Sequence, residues 1–214
     1  MARNARIEID HSETPVRLFK SDTLEFFTHI SPVVVIIIWL PVAVYFMVRA
    51  ILSFVPGASW AYIPAGFLLG LFLWTLSEYV IHRFVFHHHA DSPALKRIFF
   101  LFHGVHHAQP QCKTRLVMPP VVSIPGAILF YALFSLVVGS LLGAHIWVAP
   151  LFSGFIMGYL AYDLIHYATH HFAMRSGYLK FLKRYHMQHH FKTPDKRFGV
   201  SSPIWDSVFG TMPA

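Results

Sequence analysis

The chain has 214 residues, is 55% hydrophobic and carries Asp, Glu, Lys or Arg at only 13% of positions. That composition is too apolar for a water-exposed surface and indicates an integral membrane protein. The single cysteine, Cys112, excludes an internal disulfide framework and a thiolate-rich metal or iron–sulfur site. The net charge of +7 reads as membrane topology and contact with anionic headgroups, with no nucleic-acid partner expected.

In chain order, residues 1–28 form a polar N-terminal arm, and residues 29–214 are expected to form one membrane-embedded domain. A bilayer core about 30 Å thick takes roughly 20 helical residues. Residues 26 to 48 contain no Asp, Glu, Lys or Arg, and neither do residues 50 to 77, with Pro56 and Gly57 marking a turn. A third charge-free run, 116 to 162, is too long for one crossing, and Gly139, Gly143 and His145 divide it near the middle. The expectation is an all-α protein with four transmembrane helices.

Lys and Arg accumulate on the cytoplasmic side of membrane proteins. The arm has Arg3, Arg6, Arg17 and Lys20, the 82 to 118 stretch has five such residues, and the tail from residue 170 has seven. The two short turns have none, so both termini and the central loop are assigned to the cytoplasm. The arm does not read as a cleavable signal peptide and the C-terminus carries no lysine retention signal, which favours a bacterial inner membrane over the endoplasmic reticulum.

Ten of the sixteen histidines then fall into four clusters on that side: His82 with His87; His103, His106 and His107; His166 with His170; and His186, His189 and His190. Imidazole is a common ligand for iron, copper and zinc, and ten such ligands suggest two ions in a cytoplasmic helical cap. A histidine pair followed after about twenty residues by HxxHH occurs twice, a weak internal repeat that would place two similar half-sites face to face. Within each HxxHH the adjacent histidines diverge by about 100° on a helix and can serve different ions. His166 and His170 share one helical face with Tyr162 and Asp163 one turn earlier. His82 and His87 are five apart, which puts them on nearly opposite faces of an α-helix, so the helix is expected to fray between them. His11, His29 and His145 are assigned elsewhere, and His88, His89 and His171 do not match the repeated pattern. Gly66 with Gly70 and Gly154 with Gly158 are GxxxG pairs that allow close packing of the two ligand-bearing helices.

Around the ligands, Glu78 precedes His82 by one turn and is placed to accept its second ring N–H, fixing the tautomer. Asp163 is read foremost as a similar orienting carboxylate, with direct ligation or a plain buried charge as alternatives. Tyr162 either contacts the substrate headgroup or packs. A metal transporter is the rival class, but its ionisable ligands belong near mid-membrane, whereas these clusters lie at one face.

These residues resemble the fatty acid hydroxylase superfamily, which also holds sterol desaturases and alkane and carotenoid hydroxylases. The resemblance runs through Glu78-Tyr79-Val80-Ile81-His82 with His87, His103-Gly104-Val105-His106-His107, Tyr162-Asp163-Leu164-Ile165-His166 with His170, and His186-Met187-Gln188-His189-His190. The run Arg115-Leu116-Val117-Met118-Pro119-Pro120 and the tail from Gly199 through Trp205-Asp206 to Phe209-Gly210-Thr211 narrow it to fatty acid 2-hydroxylases. That family often has Asn two positions before the tail glycine, where this chain has Arg197.

The resemblance implies a membrane mono-oxygenase that hydroxylates the α-carbon of fatty acyl chains in ceramide-like sphingolipids. It implies a catalytic dimetal centre of iron on the ten histidines, with dioxygen as co-substrate; imidazole suits zinc as well as iron, so zinc is a possible occupant of purified samples. A sterol desaturase or a carotenoid hydroxylase-like oxidase is the alternative within the class. No GxGxxG fingerprint is present, so electrons are expected from a separate donor, a b-type cytochrome or a ferredoxin-like protein with its reductase. Lys180, Lys183, Arg184, Lys192, Lys196 and Arg197 form a basic patch that could dock an acidic carrier, or simply face the headgroups.

Overall fold

The structure is a computed structural model, and it describes residues 9–55, 57–88 and 90–213. Arg3, Arg6, Pro56 and His89, which enter the sequence reading, lie outside the described residues. Every regular element among the described residues is helical. Their order is α1 (Asp22–Phe26), α2 (Pro32–Leu52), α3 (Tyr62–Val80), α4 (Pro93–Phe99), α5 (Val105–Ala108), α6 (Pro120–Phe134), α7 (His145–His171), α8 (Gly177–Phe191) and α9 (Ile204–Val208). Three π-helical stretches continue α3, α4 and α6: Ile81–Phe86, Phe100–Gly104 and Ser135–Leu141.

Among the described residues four helical runs are long and apolar enough to cross a membrane: Pro32–Leu52, Tyr62–Phe86, Pro120–Leu141 and His145–His171. Helix is the conformation that satisfies every backbone N–H and C=O within one segment, which hydrocarbon demands. The division of the long third run falls where the glycines place it. Gly143 adopts φ +66° and α7 opens at His145.

The chain divides into two compact units. One consists of Pro32–Glu78 and Met118–Leu164; the other takes the chain up to Ser31, Tyr79–Val117 and Ile165–Ala214.

In the first unit α7 lies innermost, burying Leu151, Phe152, Phe155, Ile156 and Tyr159, while α2 contributes Val35, Trp39 and Ala43. Trp74 of α3 packs edge-on against Phe155 and Tyr159, both at 5.2 Å between ring centroids. The Ser153 hydroxyl donates to the Ala43 carbonyl at 2.7 Å, tying α7 to α2. Ile37, Ile128 and Leu129 are more than three-fifths exposed, as side chains facing lipid should be. The two GxxxG pairs do what their small size allows. A Cβ on Gly70 would lie 2.0 Å from the Leu151 carbonyl oxygen, and one on Gly154 would lie 1.9 Å from that of Phe67. The backbones of α3 and α7 therefore touch there, and no other residue fits.

The second unit contains all ten clustered histidines. The N-terminal arm is strapped onto it. Asp10 N–H donates to the Ala108 carbonyl at 2.8 Å and Ile30 N–H to that of Thr114 at 2.8 Å. Between them, Gln109 donates to Asp10 at 2.7 Å and accepts from Val16 N–H at 2.9 Å. Arg115, almost wholly buried, bonds to the Val16 carbonyl and to Glu25. Burial works to raise the Glu25 carboxyl, but the Phe19 and Leu18 N–H groups and the Arg115 guanidinium hold it below the usual carboxylate range. Helix α4 begins conventionally, with Ser92 accepting from Leu95 N–H and proline at the first turn.

The glycine contact yields a direct test. Gly154→Val should force α3 and α7 apart and cost at least about 1–3 kcal/mol, because the obstacle is backbone. Thermal unfolding of the purified protein should show a lowered midpoint; an unchanged midpoint would contradict the packing.

Candidate metal centre

The histidines are brought to one place by local devices that differ from cluster to cluster. His166 and His170 project from the last turns of α7 at i, i+4. His186, His189 and His190 do so from α8, and His106 and His107 from the short α5. His82 and His87 use another route. The expected fraying does not occur; the chain widens into the π-helical stretch Ile81–Phe86, whose i→i+5 ladder ends in a bond from His87 N–H to the His82 carbonyl at 3.1 Å. Widening the turn carries a residue five positions on back to the same face. The two rings are 5.0 Å apart between centroids.

The ten ligands form two sets of five. One comprises His82, His87, His103, His107 and His189; the other comprises His106, His166, His170, His186 and His190. In each set the candidate ligand nitrogens lie within 4.8 Å of one another. The adjacent pairs split as the 100° rule requires, His106 from His107 and His189 from His190. The internal repeat is visible as an exchange: each set takes four histidines from one half of the chain and one from the other. His107 and His190, one from each set, stack at 4.1 Å between centroids. Among the described residues His11, His29, His88, His145 and His171 belong to neither set.

The donor chemistry fits a cation. Nε2 of His82 faces Nε2 of His103 at 3.0 Å, His103 faces His107 at 3.0 Å, and His189 faces His87 at 3.1 Å. In the second set His166, His106 and His190 follow one another at 2.9 Å, with His186 to His170 at 2.9 Å. His82 and His189 direct Nδ1 to the carbonyls of Phe198 and Lys196, the latter at 2.7 Å. Their N–H groups are therefore spent on carbonyls, and the Nε2 atoms turned inward carry lone pairs. Two ring nitrogens at such distances need a proton or a cation between them, and five nitrogens converging on one point suit a cation. Two metal–nitrogen bonds of about 2.1 Å at right angles place their nitrogens about 3 Å apart.

Burial keeps the imidazoles neutral. His103, His106, His186, His189 and His190 are pushed well below the ordinary value and His107 down to about 3, chiefly by loss of solvent. Neutral imidazole is the form that ligates.

The residues around the ligands depart in part from the sequence reading. For His82 the acceptor of the second ring N–H is the Phe198 carbonyl, not Glu78. Glu78 and Asp163 are both buried. Asp163 receives the Met118 N–H on both oxygens, at 3.2 and 3.1 Å, and the Tyr159 hydroxyl at 3.0 Å. It thereby anchors the backbone of the Arg115–Pro120 run. Tyr162 is 5% exposed, with its ring against Trp74 at 5.6 Å. Lys183 donates to the carbonyls of Thr169 and Phe172 at 2.7 and 3.1 Å, closing the C-terminal end of α7. Arg197 explains the Asn expected at its position. It alone among the described non-glycine residues has positive φ, +61°, a conformation Asn tolerates better. Its guanidinium is fastened to Thr193 and lies over the Tyr185 ring.

The exchange of one histidine between the sets is testable with metal alone. His106→Ala and His107→Ala, although adjacent, should weaken different ions, so the double variant should lose both while each single variant keeps one. Metal analysis of the purified proteins reads this directly; loss of the same single ion from all three would contradict the assignment.

The chain is similar to known proteins in sequence and in fold. The family model described as Fatty acid hydroxylase matches residues 67–211. The dihydroceramide fatty acyl 2-hydroxylase FAH1 of Arabidopsis thaliana is 39% identical over 92% of this chain and 80% of its own length. The ceramide very long chain fatty acid hydroxylase scs7 of Schizosaccharomyces pombe is 42% identical over 82% of this chain and 49% of its own. The human fatty acid 2-hydroxylase is 36% identical over 92% of this chain and 57% of its own. The solved structure of full-length scs7p, in which only the hydroxylase domain is visible, aligns with a TM-score of 0.80 at 38% identity, covering 90% of this chain and 70% of that one. The chain belongs to the fatty acid hydroxylase family.

Proposed function

We propose that this protein hydroxylates the α-carbon of fatty acyl chains in ceramide-like sphingolipids, using dioxygen and two external electrons at a centre of two iron ions. The observation that carries the reading is the pair of five-histidine sets in a chain whose relatives are named as acyl 2-hydroxylases. An unactivated C–H bond demands an oxidant that no side chain supplies, and the bound metals supply it. The protein's part is to place, orient and exclude water. The Phe198 and Lys196 carbonyls fix two ligand tautomers, and the burial of the other imidazoles keeps them unprotonated. His107 stacked on His190 joins the two sets, which suits an oxidation that draws on both ions.

Regioselectivity follows from depth. His82, His87, His166 and His170 lie at or just beyond the C-terminal ends of α3 and α7, which the distribution of Lys and Arg assigns to the cytoplasmic face, together with both termini. A lipid with its polar head at that interface offers the carbon next to the carbonyl at the same depth. Glu78 and Asp163 are the carboxylates that would offset part of the charge carried by neutral ligands, and Tyr162 is the residue we assign nearest the headgroup. Zinc suits the same imidazoles and can occupy them in a purified sample.

Electrons come from a separate carrier. Lys180, Arg184, Lys192 and Lys196 are exposed and suit an acidic donor such as a b-type cytochrome or ferredoxin. Lys183 and Arg197 are committed to structural bonds and take no part.

Expression in a host that makes ceramides should yield 2-hydroxy acyl lipids by mass spectrometry. His166→Ala should abolish them, by at least about a hundredfold, while the protein still inserts in the membrane. Ion flux into proteoliposomes with no oxidised lipid would defeat the reading.

A further inference from the structure

The tail motif contains a buried carboxylate that the ligand sets do not use. Asp206 is 0% exposed. One of its oxygens accepts from Phe198 N–H at 2.9 Å and from the Thr211 hydroxyl at 2.6 Å, and the other from Gly199 N–H at 2.7 Å. Its own carbonyl accepts from the N–H groups of Thr211 and Met212, at 2.8 and 3.0 Å. The turn it grips is tightly built. A Cβ on Gly199 would fall 2.0 Å from the Ser202 carbonyl oxygen, and Arg197, in the left-handed region, donates its N–H to the Thr211 carbonyl at 3.1 Å. From the other direction, Arg83 donates to the Tyr79 hydroxyl at 2.7 Å, and that hydroxyl lies 2.9 Å from the Thr211 hydroxyl. Since Thr211 gives its proton to Asp206, Tyr79 donates to Thr211, and the chain of donors ends on the carboxylate.

The same turn orients ligands of the first set through backbone carbonyls. Lys196 presents its carbonyl to His189 and Phe198 presents its carbonyl to His82. The Phe198 ring also rests on His82, His87 and His189, at 5.7, 5.5 and 5.7 Å between centroids. Every one of those histidines belongs to the set of His82, His87, His103, His107 and His189.

We infer that Asp206 is a positioning residue for one ion of the pair: by holding the 196–199 turn, it sets the tautomers of His82 and His189 and determines how tightly their set binds metal, leaving the other set to bind independently. The two ions are then unequal in this protein, and the tail of the chain governs only one. Partners that orient metal-bound histidines are worth about 10- to 100-fold in affinity.

This rests on the metal-centre reading, and zinc content separates the two. Wild-type protein purified in detergent and loaded with Zn(II) should hold two ions by mass spectrometry; failure to hold any would overturn the centre itself. Asp206→Asn should keep its helicity and hold one. Adding His186→Ala to it should remove the remaining ion, whereas adding His87→Ala should change nothing further. Two ions retained in Asp206→Asn with wild-type release to a chelator, or both lost from protein that retains wild-type helicity, would overturn the assignment. Should Asp206→Asn fail to fold, Thr211→Val, which deletes one of three donors, decides it: one of the two ions should leave about tenfold faster than in the wild type. Release of both at the wild-type rate would overturn the inference.

Discussion

Ten imidazoles crowded into one unit of a small protein repel one another unless something holds them together, and the architecture follows from meeting that condition. Protonated, the rings would carry like charges a few ångströms apart in a region that solvent scarcely reaches. Neutral, they still bring ring nitrogens to about 3 Å from one another, where a proton or a cation must lie between each facing pair. Burial secures the neutral form, and backbone carbonyls claim the second nitrogen of His82 and His189, so that the inward nitrogens are donors to a cation and nothing else. The protein therefore spends folding free energy on assembling a site that a bound metal repays, a coupling common to metal centres built from distant parts of a chain.

The exchange between halves ties the two halves of the chain together. His189 completes the set drawn from the first half of the chain, and His106 completes the set drawn from the second. Neither half can finish its own shell. Binding at either set thus pins α5 against α8, and the stacking of His107 on His190 places the sets side by side. The arm adds to this by fastening the 108–115 segment, which follows directly on the first HxxHH, through Asp10, Gln109 and the buried Glu25–Arg115 pair.

Much of this was legible in the residue order. Charge-free runs and glycine punctuation mark the four spanning helices, and helical periodicity separates His106 from His107 and His189 from His190. The GxxxG pairs announced where α3 and α7 touch, because only the absence of a Cβ permits backbone contact. The π-helical turn was not legible. Five-residue spacing argues against a shared face in an α-helix, and the residue types of Ile81–Phe86 do not distinguish a widened turn from an ordinary one. The orienting groups of His82 and His189 escaped for a different reason: a backbone carbonyl has no residue type, so Phe198 and Lys196 carried no signal. Asp163 stands out in the sequence as an intramembrane carboxylate, but its partner, the Met118 N–H, lies 45 residues away and is defined only by the fold.

The central claim is that each half lends one histidine to the other's ion. Anomalous scattering from metal-loaded protein tests it most directly. The account predicts two separate peaks, one bonded to His82, His87, His103, His107 and His189 and the other to His106, His166, His170, His186 and His190. A single peak, or two peaks in which His106 and His107 bind the same ion, would contradict it.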